Sequence, residues 1–204
     1  MVLKRQDSVC RYEGIHQEGP REYQHEMPAR TENQPHKHTI PNYGAKVQLT
    51  DPKDTSNPLG PKDIKRLQEI IGSLLFYGKG VDETLMLTLN ELASAQYQGT
   101  ESTKLALLEL LDYCATHDDA KIRYCASEMI LHVHSDASYL SAYRARSKVG
   151  QQFFLSNKIS EGQQILHNGY ILVISAILKN VMESVAEVQL GGLLLNGKET
   201  VHLI

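Results

Sequence analysis

Proline divides this chain. All seven prolines, Pro20, Pro28, Pro35, Pro41, Pro52, Pro58 and Pro61, fall in the first 61 of 204 residues, and none follows. Proline fixes φ and removes a backbone donor, so a proline-dense stretch excludes long helices and central strands. Up to Gly60 the chain is also polar, with Lys and Arg balancing Asp and Glu and four of the nine histidines. So few apolar residues cannot offset the entropy of ordering the chain. Residues 1–60 are therefore expected to be a polar, extended or disordered segment, with a short helix near Arg21–Met27. His36 and His38 in PHKH have no further ligand at a useful spacing and read as a solvated basic loop.

From Pro61 the apolar residues take up a helical period. Gly60-Pro61 opens a helix with proline at its favoured first position, and Ile64, Leu67, Ile70, Ile71, Leu74 and Leu75 recur along it to Gly78 and Gly80. Asp82 is placed to cap a second helix carrying Leu85, Leu89 and Leu92, which stops at Gly99. Thr100 or Ser102 opens a third, with Leu105, Leu108, Leu111 and Cys114 on one face and His117 near its end. Three amphipathic helices with short links predict an antiparallel bundle over residues 61–118.

Beyond it the period becomes alternating. Lys121–Ala126, Met129–Ser135, Val149–Leu155 and Gly169–Ile177 read as strands, with Asn168-Gly169 as a turn, and Glu183–His202 as a closing helix. In MILHVHSDASY, Ile130, His132, His134 and Asp136 share one strand face. Asp136 ends the apolar run, where an acid must be solvated, paired or metal-bound; the small polar residues after it suit a turn. The fold class expected is α+β: a small antiparallel helical bundle, then an incomplete mixed sheet with one helix.

Composition narrows the function. A hydrophobic fraction of 41% supports a core, and a net charge of −3 does not advertise nucleic-acid binding. No apolar run is long enough for a membrane span, and the N-terminus lacks a signal-peptide core. Three widely spaced cysteines point to reduced thiols, hence to an intracellular location, in the cytoplasm or nucleus. His117-Asp-Asp-Ala120 follows a helix, whereas the paired aspartates of a polymerase sit at a hairpin tip. His132-x-His134 matches a two-histidine metal pair or a solvated strand face. Gly191-Gly192 lies inside a helix, as a close-packing point.

Several longer stretches carry a resemblance: PHKHTIPNYGAKVQ, DIKRLQEIIGSLLFYGKGVDETLMLTLNELASAQ, LLDYCATHDDAKIRYCASEMILHVHSDASYLS, ARSKVG and SAILKNVMESVAEVQLGGLLLNGKE. In this order they resemble the C-terminal part of a copia-type retrotransposon Pol polyprotein, where the reverse transcriptase ends and the ribonuclease H domain begins. The resemblance implies a thumb and connection region over 61–118 and a truncated ribonuclease H-like domain over 119–204. Its ancestral activities are RNA-directed DNA synthesis and hydrolysis of the RNA strand in RNA–DNA hybrids.

Such hydrolysis uses two Mg²⁺ ions held by converging carboxylates. By resemblance Asp136 is the first-strand metal ligand and catalytic acid. The family's helix motif reads roughly AEAE, with its second acid as ligand. Here AEVQ places Gln189 there, a poor partner for Mg²⁺, with Glu187 about 200° around the helix. The other catalytic acids of both activities are expected outside this stretch of chain. The resemblance thus implies a degenerate, inactive copy that does not hold Mg²⁺ stably. Weak contact with an RNA–DNA hybrid or duplex falls to Lys62, Lys65, Arg66, Arg144, Arg146 and Lys148. The rival reading is a non-catalytic interaction module using the apolar faces of the bundle, or one that self-associates through open sheet edges.

Overall fold

The structure, a computed structural model, describes residues 8–10, 25–26, 28–35, 54–142, 146–160 and 162–203. These form two compact units: one holds the described residues 25–35 and 54–121, the other residues 8–10 and the chain from Ile122 onward. Of the expected helix near Arg21–Met27, only His25 and Glu26 are described, and they are not helical; its other residues and the PHKH histidines lie outside the described residues.

In the first unit α1 spans Pro61–Gly80, with Gly60 as its extended N-cap, Pro61 in the first turn and Asp63 facing the positive end of the dipole. The Asp82 carboxylate accepts from the Thr84 N–H at 3.1 Å. It thereby caps a 3₁₀ turn, Glu83–Leu85, that runs into α2, Met86–Ala95. Helix α3, Glu101–Thr116, starts from a reciprocal capping box between Thr100 and Thr103. Leu67, Ile70, Ile71, Leu74, Leu85, Leu89, Leu92, Leu107, Leu110, Leu111 and Cys114 form its core. A Cβ on Gly78 would lie 3.1 Å from Leu89 and 3.2 Å from Met86, so glycine there lets α1 approach α2 closely.

One helix face differs from expectation. Leu105 and Leu108 are exposed, at 60% and 39%, while Leu107 and Leu110 are buried beside Leu111 and Cys114. Leucine fills two overlapping stripes of α3. The stripe through Thr103, Leu107, Leu110 and Cys114 meets the core.

Part of the polar N-terminal segment belongs to this unit. Residues 25–26 and 28–35 form neither helix nor strand, yet Glu32 N–H donates to Thr116 Oγ1 at 3.2 Å and Thr88 Oγ1 donates to the Pro35 carbonyl at 3.0 Å. Leu59 is buried, and its N–H donates to the Gly99 carbonyl. Asp54 accepts from the Thr100 hydroxyl, which with the Ser56 bonds holds its carboxyl below the usual range. The polar chain is ordered here by pairing with helix termini and by burying Leu59 in the core of the unit.

The second unit is built on a sheet of β3 (Ile130–Ala142), β4 (Arg146–Ser156) and β5 (Tyr170–Ile177), in spatial order β3-β4-β5. All its pairings are antiparallel, which corrects the expected mixed sheet. No helix lies between these strands, and a parallel neighbour requires a crossover connection. The strand expected at Lys121–Ala126 is shorter, β2 (Ile122–Tyr124), and pairs with β1 (Ser8–Cys10) in a separate antiparallel ladder. Helix α4, Val185–Leu203, packs on the face that carries Ala137 and Val149. The coarse architecture is thus α+β, with four α-helices and a three-stranded antiparallel sheet among the described residues.

Candidate functional site

Asp136 does not end its strand. Its ladder with β4 continues past it, pairing Asp136 with Gly150, Ala137 with Val149 and Ser138 with Lys148, before an irregularity between Ser138 and Ala142. The residues SDAS suit a turn locally, but β4 extends to Arg146 and offers them partners. The carboxylate is exposed, and its Oδ1 accepts from the Ala137 N–H at 2.8 Å.

Helix α4 brings Gln189 to it. Val188 is fully buried against Ala137 and Val149. A Cβ on Gly192, one turn later, would stand 3.4 Å from Val149 and 3.7 Å from Ala137, so the helix lies close on the sheet at Gly192. Gln151 Nε2 donates to the Gly192 carbonyl at 3.0 Å. With that face pinned, Gln189 overhangs β3. Its Nε2 donates to Asp136 Oδ1 at 3.3 Å and to the Ala137 carbonyl at 3.1 Å. Glu187 is directed elsewhere: its Oε2 accepts from Glu183 N–H at 2.8 Å, and its own N–H donates to Ser184 Oγ at 3.2 Å. That is a capping arrangement at the start of α4.

This donor set does not fit a magnesium pair. Mg²⁺ takes hard oxygen ligands in near-octahedral geometry, whereas the second position here presents an N–H to the one carboxylate. Among the described residues no group of three His, Cys, Asp or Glu side chains is placed to hold a metal ion. What the arrangement does chemically is give the Asp136 carboxylate a hydrogen-bond donor and fasten α4 to β3.

The basic residues fall in separate units. Lys62, Lys65 and Arg66 lie on α1, where Lys65 pairs with Glu69 at 3.9 Å. Arg66 lines an α1–α3 cavity of about 310 Å³ with Asp63 and Lys104 on its rim, themselves 3.8 Å apart. Arg146 and Lys148 lie on β4, Lys148 next along the open face to Gly150, the register partner of Asp136. Arg144 lies outside the described residues. His117 caps the C-terminus of α3, and its ring is tilted against that of Tyr113 at 4.6 Å; Asp118 and Asp119 follow in a turn.

Two features had no sequence signal. His167 joins His132 and His134 around the fully buried Phe154: His134 lies 4.8 Å from His167 and 5.0 Å from Phe154, ring to ring, and His132 stacks on Phe154 at 5.6 Å. Desolvation by burial, then the charges of His167 and His132, pushes His134 below its ordinary pKa. The pair, open in sequence to a metal site or a solvated strand face, is packed in an aromatic cluster. Asn168, read only as a turn residue, is a clamp. Its amide donates to the carbonyls of Cys125 (2.9 Å) and Leu155 (2.7 Å), and its oxygen accepts from the N–H groups of Cys125 (2.8 Å) and Gly169 (2.9 Å). The partners are 43 and 13 residues away in the chain for Cys125 and Leu155, beyond any local pattern.

Comparison with known protein families, curated proteins and solved structures finds no match. No helix among the described residues is long and apolar enough to cross a membrane.

Proposed function

We propose that the chain is a degenerate fragment of a copia-type reverse transcriptase–ribonuclease H polyprotein, whose nuclease site no longer supports metal-dependent hydrolysis. The observation that carries the reading is the contact of Gln189 Nε2 with Asp136 Oδ1. The sequence resemblance pairs these two positions as metal ligands across 53 residues, and they meet in space on a strand and the helix packed over it. An antiparallel run of three strands followed by a helix is in keeping with the start of a ribonuclease H fold. Replacing one carboxylate of such a pair by an amide removes a hard ligand and leaves a single acid, which holds Mg²⁺ only weakly.

Surviving function would be electrostatic contact with an RNA–DNA hybrid through Arg144, Arg146 and Lys148, with Lys62, Lys65 and Arg66 on the other unit. The direct test is hydrolysis of a labelled hybrid in Mg²⁺ or Mn²⁺: none is expected. Cleavage that disappears in Asp136→Asn would overturn the loss of activity. Hybrid binding should weaken with salt, and neutralising Arg144, Arg146 and Lys148 should reduce the log–log slope by about 1 for each phosphate no longer paired with a cation. Binding with no salt slope would remove the nucleic-acid role.

A further inference from the structure

We infer that the outer face of α4 is a self-recognition surface, on which a second copy of this chain docks with its own α4 in antiparallel orientation. Of the 19 residues of this helix, only Val188 and Gly192 are buried. On the side about 180° away, at 100° per residue, run Leu190, Leu194, Gly197 and Val201, with Leu193 beside them. Leu190, Leu193, Leu194 and Val201 are 64%, 60%, 62% and 74% exposed. The spacing of four, three and four residues is that of a two-helix seam, and nothing within 4 Å stands over Gly197. Scattered exposed leucines are ordinary, whereas a contiguous stripe along one helix marks an interaction site.

Two features select a second copy as the occupant. The stripe holds no charged residue, so it meets itself across a two-fold axis without burying a charge. The charges that flank it are Glu187, near the N-terminus, and Lys198, near the C-terminus, about 20° apart around the helix. An antiparallel pair brings the charged flanks together and sets the Glu187 end of one helix toward the Lys198 end of the other; a parallel pair would put those flanks on opposite sides of the seam. The seam from Leu190 to Val201 is about 17 Å long and lies at the low end of stable interfaces, so the dimer is expected to be weak, with a Kd on the order of 10 μM. This surface is distinct from the sheet edges and bundle faces, and it does not depend on the retroelement reading.

Sedimentation equilibrium of the full chain from about 1 to 200 μM, spanning that Kd, tests the proposal. The mass should rise from 22.9 kDa toward twice that value. Leu190→Lys with Leu194→Lys should raise Kd by about 100-fold or more while leaving the circular dichroism spectrum and Tm unchanged, since both side chains are exposed. Leu105→Lys, an equally exposed leucine on α3, should leave the dimer intact. Lys198→Glu alone should weaken it, and Glu187→Lys in addition should restore it. A wild-type monomer at the highest concentration, or a doubly substituted chain that still dimerises, overturns the surface. Failure of the charge reversal to restore association, when Glu187→Lys alone keeps the helical circular dichroism signal despite losing its cap on Glu183 N–H, overturns the antiparallel arrangement.

Discussion

Replacing Gln189 with glutamate puts a second carboxylate where an amide now donates to Asp136. Two hydrogen bonds disappear, the 3.3 Å contact to Asp136 Oδ1 and the 3.1 Å contact to the Ala137 carbonyl. In so exposed a setting each contributes about 0.5 kcal/mol. Two carboxylates about 4 Å apart add roughly 1 kcal/mol of repulsion at a water-like dielectric. The variant should therefore lose about 2 kcal/mol, which for a unit of roughly 100 residues lowers Tm by about 10 °C. A divalent cation reverses the repulsion, because the two acids then share it. At a Kd of about 1 mM, in the range of weak carboxylate sites, Mn²⁺ at about 10 mM returns RT ln(1 + [L]/Kd), about 1.4 kcal/mol. Scanning calorimetry in EDTA and in Mn²⁺ reads both effects. Gln189→Glu should gain about 5 °C or more from Mn²⁺, whereas the wild type and the Gln189→Glu/Asp136→Asn double variant should not move. A Gln189→Glu chain as stable as wild type in EDTA and indifferent to Mn²⁺ would refute the convergence of these positions.

Other consequences concern stability and reactivity. Asn168→Ala strips partners from the Cys125 and Leu155 backbone and should cost about 3 kcal/mol in chemical denaturation; Asn168→Asp should recover only part, since it keeps the acceptor and loses the donors. Gly169→Ala would place a Cβ 2.6 Å from Ile122 Cγ2 and 2.7 Å from the Tyr124 ring. Relieving that overlap should cost about 1–3 kcal/mol, and an unchanged Tm would show that β2 moves freely. Burial pushes the Cys114 thiol up to about 12, so a thiol reagent at mildly alkaline pH should label Cys125 in the folded chain and reach Cys114 only after unfolding. His134 has its pKa lowered from 6.5. Between that depressed value and 6.5 the unfolded chain binds more protons, so stability rises with pH there and is lost as pH falls. His134→Gln should flatten that part of the denaturation profile.

Much of the helical unit was legible because its signals are local. Gly60-Pro61, Asp82 and Thr100 act on backbone groups within four residues of themselves, and each cap forms where its chemistry places it. Leu85, Leu89 and Leu92 lie on one stripe with no competing stripe beside it, and all three are buried. Helix α3 carries competing leucine stripes, so its buried face could not be read from spacing. The apparent end of the strand at Asp136 misled for a similar reason. Residues that suit a turn also suit a ladder once a partner strand runs alongside.

The sequence by itself determined where the helices and most strands lie, and that the glycine pair in the last helix is a packing point. These follow from propensity, capping and period, which are properties of neighbouring residues. Only the tertiary structure decided that β2 pairs with β1, that His167 joins the histidines around Phe154, and that Gln189 hands its amide to Asp136. Those contacts join residues far apart in sequence, and the last of them exists because Val188 and Gly192 press one helix onto one face of the sheet and so fix everything that helix overhangs.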